Sequence, residues 1–376
     1  MILPSRPAFC PTAWRDSPES KQAAAHISAN FLHADVRGMS DCLIVQPIHP
    51  WGIERLKAAG ITPLMADRAD METVGRMIGT AVAVITRSAG LSAAAMNRAT
   101  RLKVVASHGI GADTIAIDHA TALGILVINT PDANRASVAE QTMALILALA
   151  KRIIPADAAT RAGNFDFKYT TPLTEIAGTV LGLVGFGGIG ARVAAMAKTG
   201  FGMDMLVHSA SVDNARLHAL GYRTAPSLEA LLREADVVSL HRILTDGSRK
   251  MIGPRELAAM KPGAILINTA RGGLVDEDAL AAALAGGRLA GAGLDVFSRE
   301  PLACDHPLLR LPNVVLSPHV SGSTEAALRR TAIEAAEGVI AALAGTRPRH
   351  FVNPAVWPNW RGHRCDSLAR AEGVMQ

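Results

Sequence analysis

From about residue 42 the chain alternates short β-branched apolar runs with Ala- and Leu-rich stretches of helical spacing. "CLIVQP", "AVAVITR", "LKVVASHG" and "ILVINTP" predict strands, and "GIERLKAAG" and "LSAAAMNRA" predict helices between them. Strands that alternate with helices are joined by crossovers, so the expected fold class is α/β with parallel sheets. "SVAEQTMALILALAKRI" predicts a long helix from Ser137 to Ile153, with Ser137 as N-cap and Glu140 completing a capping box. Its length suits a spine between two domains. A second series follows in "TVLGLVG", "MDMLVHS", "ADVVSLH", "AILINTA", "GAGLDVF" and "NVVLSPH", and the final helix "STEAALRRTAIEAAEGVIAALAG" can return the chain to the first domain.

With 376 residues, about two domains is the sensible prior. The composition, 49% hydrophobic and 19% charged, is that of a globular protein. No apolar run reaches the eighteen or so residues of a membrane span; "TMALILALA" breaks at Lys151 and Arg152. The reading is a soluble protein with no membrane partner. Cys10, Cys42, Cys304 and Cys365 are far apart and show neither metal-ligand spacing nor a disulfide framework, which fits a reducing cytoplasm and no metal.

The first twenty-two residues lack the basic start and apolar stretch of a secretory signal and read as an irregular extension. The net charge of +5 raises the question of nucleic acid. However, Lys and Arg are dispersed and aromatic residues make up only 4%, so the excess favours small anions. Part of it lies in the C-terminal "RGHRCDSLAR", expected to be an exposed tail.

Gly185, Gly187 and Gly190 form G-x-G-x-x-G directly after the strand "TVLGLV" and before the helix-like "ARVAAMAKTG". In that context the first glycine permits a tight turn, the second admits a pyrophosphate to the backbone and the third lets the helix pack on the strand. Free N–H groups over Gly187, Gly188, Ile189 and Gly190 would hold the phosphates. The next strand, "MDMLVHS", then lacks the acid that usually binds the cofactor ribose. Ser209 and Ser211 stand there, Asp204 falls too early and Asp213 too late. Serines can donate to either cofactor, so NAD or NADP is expected, with use of NADP tolerated and Arg216 available to assist.

Three later strand ends carry ionisable groups: Arg271 in "NTARGG", Asp295 and Glu300 in "LDVFSREP", and His319 in "LSPHVSGST". Singly, each has an ordinary reading as a solvated loop residue, a turn carboxylate or a structural histidine. Jointly, beside a dinucleotide fold, they make a hydride-transfer site. Imidazole suits the proton because it titrates near neutrality, and Glu300 would stabilise the imidazolium of His319. Arg271 would bind a substrate carboxylate and polarise its carbonyl through the planar fork. Asp295 would accept from the nicotinamide carboxamide.

Together the ordered segments "SHGIGADTI", "NTPDANRASVAEQTMALILALAK", "GLVGFGGIGARVA", "ADVVSLH", "KPGAILINTARGGLVDEDAL", "GAGLDVFSREPL" and "LSPHVSGST" resemble the D-isomer-specific 2-hydroxyacid dehydrogenases, from about Leu43 to Trp357. The resemblance implies two flavodoxin/Rossmann-like domains around a cleft, and a catalytic set of Arg271, Glu300 and His319. It also implies cofactor contacts from Thr269, Ala270, Asp295 and Gly322. It places the substrate carboxylate on backbone N–H groups around Ser107, His108, Gly109 and Ile110, with Arg87 facing substrate as in some members. Formate dehydrogenases of this fold pair the histidine with glutamine, so Glu300 argues against that branch. Ile243 departs from the family's usual proline after "LH-x".

The expected organisation is a disordered extension over 1–38, a substrate (catalytic) domain over 39–133 plus 320–357, an NAD(P)-binding domain over 134–319, and a tail over 358–376. The expected activity is hydride transfer between NAD(P)(H) and a small D-2-hydroxy acid or 2-oxo acid. The expected assembly is a homodimer, with the spine helix as the contact. The alternative is a catalytically silent NAD(H)-sensing protein on the same fold.

Overall fold

The computed structural model describes residues 41–360. The extension expected over 1–38 and the sequence "RGHRCDSLAR" lie outside them. Two sheets carry the chain, and every strand pairing is parallel.

The first sheet contains β1 (Asp41–Ile44), β2 (Thr62–Met65), β3 (Ala83–Thr86), β4 (Val104–Ser107) and β5 (Leu126–Ile128), in the order β2-β1-β3-β4-β5. That is the flavodoxin-like order. Its central strands are apolar on both faces because both are covered. One face packs on the final helix, Glu325–Leu343, through Ala332, Ala335, Ala336 and Val339; the other packs on Val74, Ile78, Met96 and Ile115. Thr324 starts the final helix by accepting from the N–H of Ala327 at 3.2 Å.

The second sheet contains β6 (Val180–Val184), β7 (Asp204–His208), β8 (Arg223–Thr224), β9 (Val237–Leu240), β10 (Ile265–Asn268), β11 (Gly291–Leu294) and β12 (Val314–Leu316). Its order, β12-β11-β10-β9-β6-β7-β8, reverses direction between β6 and β9. In an open parallel sheet that reversal opens a crevice at the strands' carboxyl ends.

The spine helix spans Arg135–Ala150, two residues earlier than the spacing predicts. Asn134 is its N-cap and makes no side-chain cap bond, so the expected Ser137–Glu140 capping box does not form. Ser137 sits inside the helix, where its buried hydroxyl donates to the carbonyl of Ser321 at 2.5 Å. Arg152, at φ 46°, breaks the run before a separate helix over Ile153–Arg161. Most of the spine's apolar surface lies against its own sheet, with Ala139, Leu145, Ile146 and Ala150 buried. The exposed large apolar side chains come just afterwards, at Ile153, Ile154, Phe165, Tyr169 and Leu173.

The tail expected from residue 358 does not begin there. Trp360 is fully buried, stacks on Trp357 and donates its indole N–H to the carbonyl of Lys103 at 3.1 Å. Among the described residues, no helix is long and apolar enough to cross a membrane.

Candidate active site

The glycine turn sits at the crevice between β6 and β9. Gly185 has φ +98°, and a Cβ there would come within 2.4 Å of the carbonyl oxygen of His241, so only glycine fits. Behind it His241 is partly buried and bonded to Ser239 at 2.9 Å; desolvation pushes its imidazole down to about 4, so it is neutral at pH 7. Gly187 is the N-cap of the helix Gly188–Phe201 and faces open space: a Cβ there would meet nothing within 4 Å. The first bond of that helix runs from Ala191 N–H to the carbonyl of Gly187, which leaves the N–H groups of Gly188, Ile189 and Gly190 without intrahelical acceptors. An open cradle of unpaired donors at a helix start fits the pyrophosphate of a dinucleotide.

Beside it β7 ends at His208, and Ser209 is the first residue beyond. Its hydroxyl lies 3.3 Å from that of Ser211. Asp213 is occupied as the cap of helix Asn214–Ala219, accepting from the N–H of Ala215 at 3.1 Å, and Asp204 starts β7 at the far end. The strand end thus presents hydroxyls and no carboxylate. Ile243, where a proline was expected, is highly exposed, and its loop takes its shape from Ser248, whose hydroxyl donates to the Ile243 carbonyl at 3.0 Å.

The three ionisable loops follow β10, β11 and β12, which are neighbours in the sheet. Nδ1 of His319 lies 2.8 Å from Oε2 of Glu300, whose other oxygen accepts from the N–H of Phe297 at 3.1 Å. The loop bearing Arg271 adjoins them, since a Cβ on Gly272 would meet the Phe297 carbonyl carbon at 1.8 Å. Asn268, buried at the end of β10, braces that loop by donating to the Arg271 carbonyl at 2.9 Å and accepting from the N–H of Ala270 at 3.1 Å.

His319 itself has φ 54°, a left-handed conformation uncommon for a residue with a side chain. The reason is Asp295. This residue is wholly buried, and one oxygen accepts from Ser317 Oγ at 2.5 Å and Val320 N–H at 2.9 Å. The other accepts from Ser321 N–H at 2.9 Å and from the Ser321 hydroxyl. Four donors fill a carboxylate's acceptor sites. Its carboxylate is thus held from within by four donors, and it positions the loop that carries His319. The spine helix buttresses the same loops through Ser137, through Gln141 Nε2 to Ser317 Oγ at 3.3 Å, and through Thr142 to Thr269 at 2.9 Å. Gly322 packs against the side chain of Asn134.

Across the crevice, the loop after β4 faces Arg271. Ser107 ends the strand, and the N–H of His108 donates to the Thr86 carbonyl at 2.8 Å. The carbonyls of Gly109, Ile110 and Gly111 are tied back by Thr130 N–H at 2.9 Å, Asn129 Nδ2 at 2.8 Å and Ser107 Oγ at 2.5 Å. In a planar trans peptide the following N–H points the opposite way. Those of Ile110, Gly111 and Ala112 thus turn away from these partners. Burial, with Arg87 close by, brings the imidazole of His108 down to about 4. Arg87 donates to the Pro47 carbonyl at 2.9 Å, and no described contact links it to Arg271 or His319.

Sequence reasoning missed Asp113. Its Oδ2 accepts from Nε of Arg271 at 2.5 Å, while Nη1 of Arg271 donates to the Ala270 carbonyl at 2.7 Å and Nη2 lies against Gly111. The segment "GIGAD" contained a carboxylate two residues beyond the glycines, and that was the available signal.

A family profile described as "D-isomer specific 2-hydroxyacid dehydrogenase, NAD binding domain" matches residues 143–321. A glyoxylate reductase of Aeropyrum pernix is 44% identical over 269 residues, 69% of this chain and 79% of that one. The chain belongs to the D-isomer specific 2-hydroxyacid dehydrogenase family. A D-3-phosphoglycerate dehydrogenase of Methanocaldococcus jannaschii is 36% identical over 84% of this chain, which spans 60% of that longer protein. Among solved structures, an NADPH-dependent glyoxylate/hydroxypyruvate reductase of Sinorhizobium meliloti, in complex with NADP and malonate, superposes with a TM-score of 0.76 at 29% identity, covering 85% of this chain and 98% of that one. As a D-2-hydroxyacid dehydrogenase, the protein is an NAD(P)-dependent oxidoreductase, and the silent-sensor alternative finds no support among these relatives.

Proposed function

We propose that the protein reduces small 2-oxo acids of the glyoxylate type, with Glu300–His319 as the acid/base pair and Arg271 as the substrate-binding cation. The observation that carries this reading is the 2.8 Å His319–Glu300 pair, set beside an arginine that reaches a loop of outward N–H groups. The nicotinamide, when bound, supplies the hydride. Nδ1 of His319 faces Glu300, so Nε2 is the nitrogen left to give its proton to the carbonyl oxygen. Arg271 polarises that oxygen, and the N–H groups of Ile110, Gly111 and Ala112 hold the carboxylate.

The cofactor-binding unit is taken as 134–319 and the substrate unit as 39–133 plus 320–357, with the pyrophosphate over Gly187–Gly190 and the ribose at Ser209. With hydroxyls in place of an acid, both NADH and NADPH serve. The exposed apolar side chains over 153–173 support a homodimer through that segment. Scattered cysteines, with Cys42 and Cys304 unpaired, support a cytoplasmic location.

Loss of reduced-nicotinamide absorbance with glyoxylate, hydroxypyruvate, pyruvate and 3-phosphohydroxypyruvate tests the proposal. Turnover of the small acids supports it. Silence across the panel, with NADH still bound, overturns it.

A further inference from the structure

Arg135 is the first residue of the spine helix, the positive end of the helix dipole, where a cation is disfavoured. Something nearby must offset that placement. Its Nε donates to the Pro131 carbonyl at 2.9 Å and its Nη2 lies 2.6 Å from Asp132. Asp132, however, is shared: Arg349 and His350 each lie 3.3 Å from its other oxygen. The next carboxylate, Glu334, stands 3.8 Å from His350.

The guanidinium meanwhile leans on a second helix start. A Cβ on Gly188 would come 2.3 Å from Nε, 2.5 Å from Cζ and 2.6 Å from Cδ of Arg135. Arg135 therefore occupies the space that a side chain at 188 would take, at the first residue of the helix Gly188–Phe201. Two helix starts and a guanidinium converge there, and the carboxylate that faces the guanidinium, Asp132, is shared with Arg349 and His350. Gly187 beside them is open. The unpaired N–H groups of the two helix starts and the guanidinium held against Gly188 suit an anionic ligand.

We propose that Arg135 is a cofactor-binding residue: from outside the glycine motif, it supplies a guanidinium to the dinucleotide's pyrophosphate through the gap left by Gly188. This rests on the dinucleotide reading of the glycine turn. Arg135 adds a charge-assisted bond to a cradle otherwise made of backbone N–H groups. It also joins the cofactor to the segment that connects the two sheets.

Calorimetric titration of the full chain with NADH, ADP-ribose and adenosine tests it, because adenosine keeps the base and ribose but carries no phosphate. R135Q should weaken NADH and ADP-ribose about tenfold or more and leave adenosine unchanged, with R135K recovering part of the loss. G188A should also weaken ADP-ribose by displacing the guanidinium. Its effect should be largely absent when combined with R135Q, since both changes remove one contact. Unchanged ADP-ribose binding by R135Q, or full additivity of the two substitutions, overturns the role of Arg135. Wild-type protein that binds neither NADH nor ADP-ribose overturns the dinucleotide reading itself, and Arg135 with it.

Discussion

Arg271 follows β10 of one sheet and Asp113 follows β4 of the other, yet their side chains meet at 2.5 Å, Nε to Oδ2. The pair closes the crevice between the sheets and decides how the guanidinium is presented. Asp113 fixes Nε, the Ala270 carbonyl fixes Nη1, and Nη2 stays in front of Gly111. A substrate carboxylate thus meets a cation already shared with a partly exposed anion. D113N keeps an acceptor at the same place and removes the charge. The Michaelis constant for glyoxylate should fall about fivefold, the worth of about 1 kcal/mol for a partly exposed pair, with kcat little changed. D113A, which frees the guanidinium to rotate, should lower kcat by tenfold or more. Steady-state kinetics on both variants separate the two effects, and equal behaviour of D113N and D113A would remove any orienting role.

Arg271 cannot be replaced by a point charge. R271K should lose at least a hundredfold in kcat/KM, because lysine offers no planar fork to span substrate, Asp113 and Ala270 together. H319Q should fall by a comparable or larger factor for loss of the proton donor, about a hundredfold to ten-thousandfold in kcat. NADH titration checks that both variants still bind cofactor.

At the ribose corner, wild-type protein should favour NADH over NADPH in kcat/KM by less than about a hundredfold, roughly 2.7 kcal/mol. S209D places a carboxylate at the end of β7, where it repels a 2′-phosphate. NADPH efficiency should drop at least tenfold, with NADH efficiency held within a fewfold. Equal losses for both cofactors would mean that Ser209 does not face the ribose.

Two partly buried imidazoles make stability depend on pH. His108 and His241 are each brought down to about 4 by burial, from 6.5 in the unfolded chain. As pH falls below 6.5 the unfolded state takes up protons that the folded state refuses, so stability is full above 6.5 and is lost progressively down to about 4. The slope should approach about 1.4 kcal/mol per pH unit for each histidine. Urea midpoints measured at pH 7.0, 6.0 and 5.5 should fall accordingly, and H241Q, which cannot titrate, should flatten the fall. An unchanged slope in that variant would contradict the assignment.

Removing the apolar side chains of the 153–173 segment tests the assembly. Ile154, 55% exposed, and Phe165, 66% exposed, face water in the single chain. I154E with F165E should convert a dimer to a monomer by light scattering at micromolar concentration. A wild type that is already monomeric would exclude the dimer.

Much of the fold was legible because parallel strands covered on both faces must be continuous apolar runs, and nine of the ten predicted strands overlap the buried core of their sheets without interruption. β2 and β8 were missed. They are edge strands, β2 mostly exposed and broken by Pro63, β8 only two residues long, and neither has an apolar run to show. Ser137 was misread because a helix N-cap and a buried hydroxyl that bonds a distant carbonyl present the same residue type. Glu300 and His319 could be found because their chemistry is local to strand ends. Asp113 could not, because it matters only through a partner in the other sheet, 158 residues away.

The pinned carbonyls of Gly109, Ile110 and Gly111 separate holding from choosing. On the proposed reading the hold on an acid there is main chain, whereas the Ile110 side chain stands partly in solvent and takes no part in the pinning. On that reading, a change of side chain at residue 110 leaves the main-chain hold on a carboxylate intact.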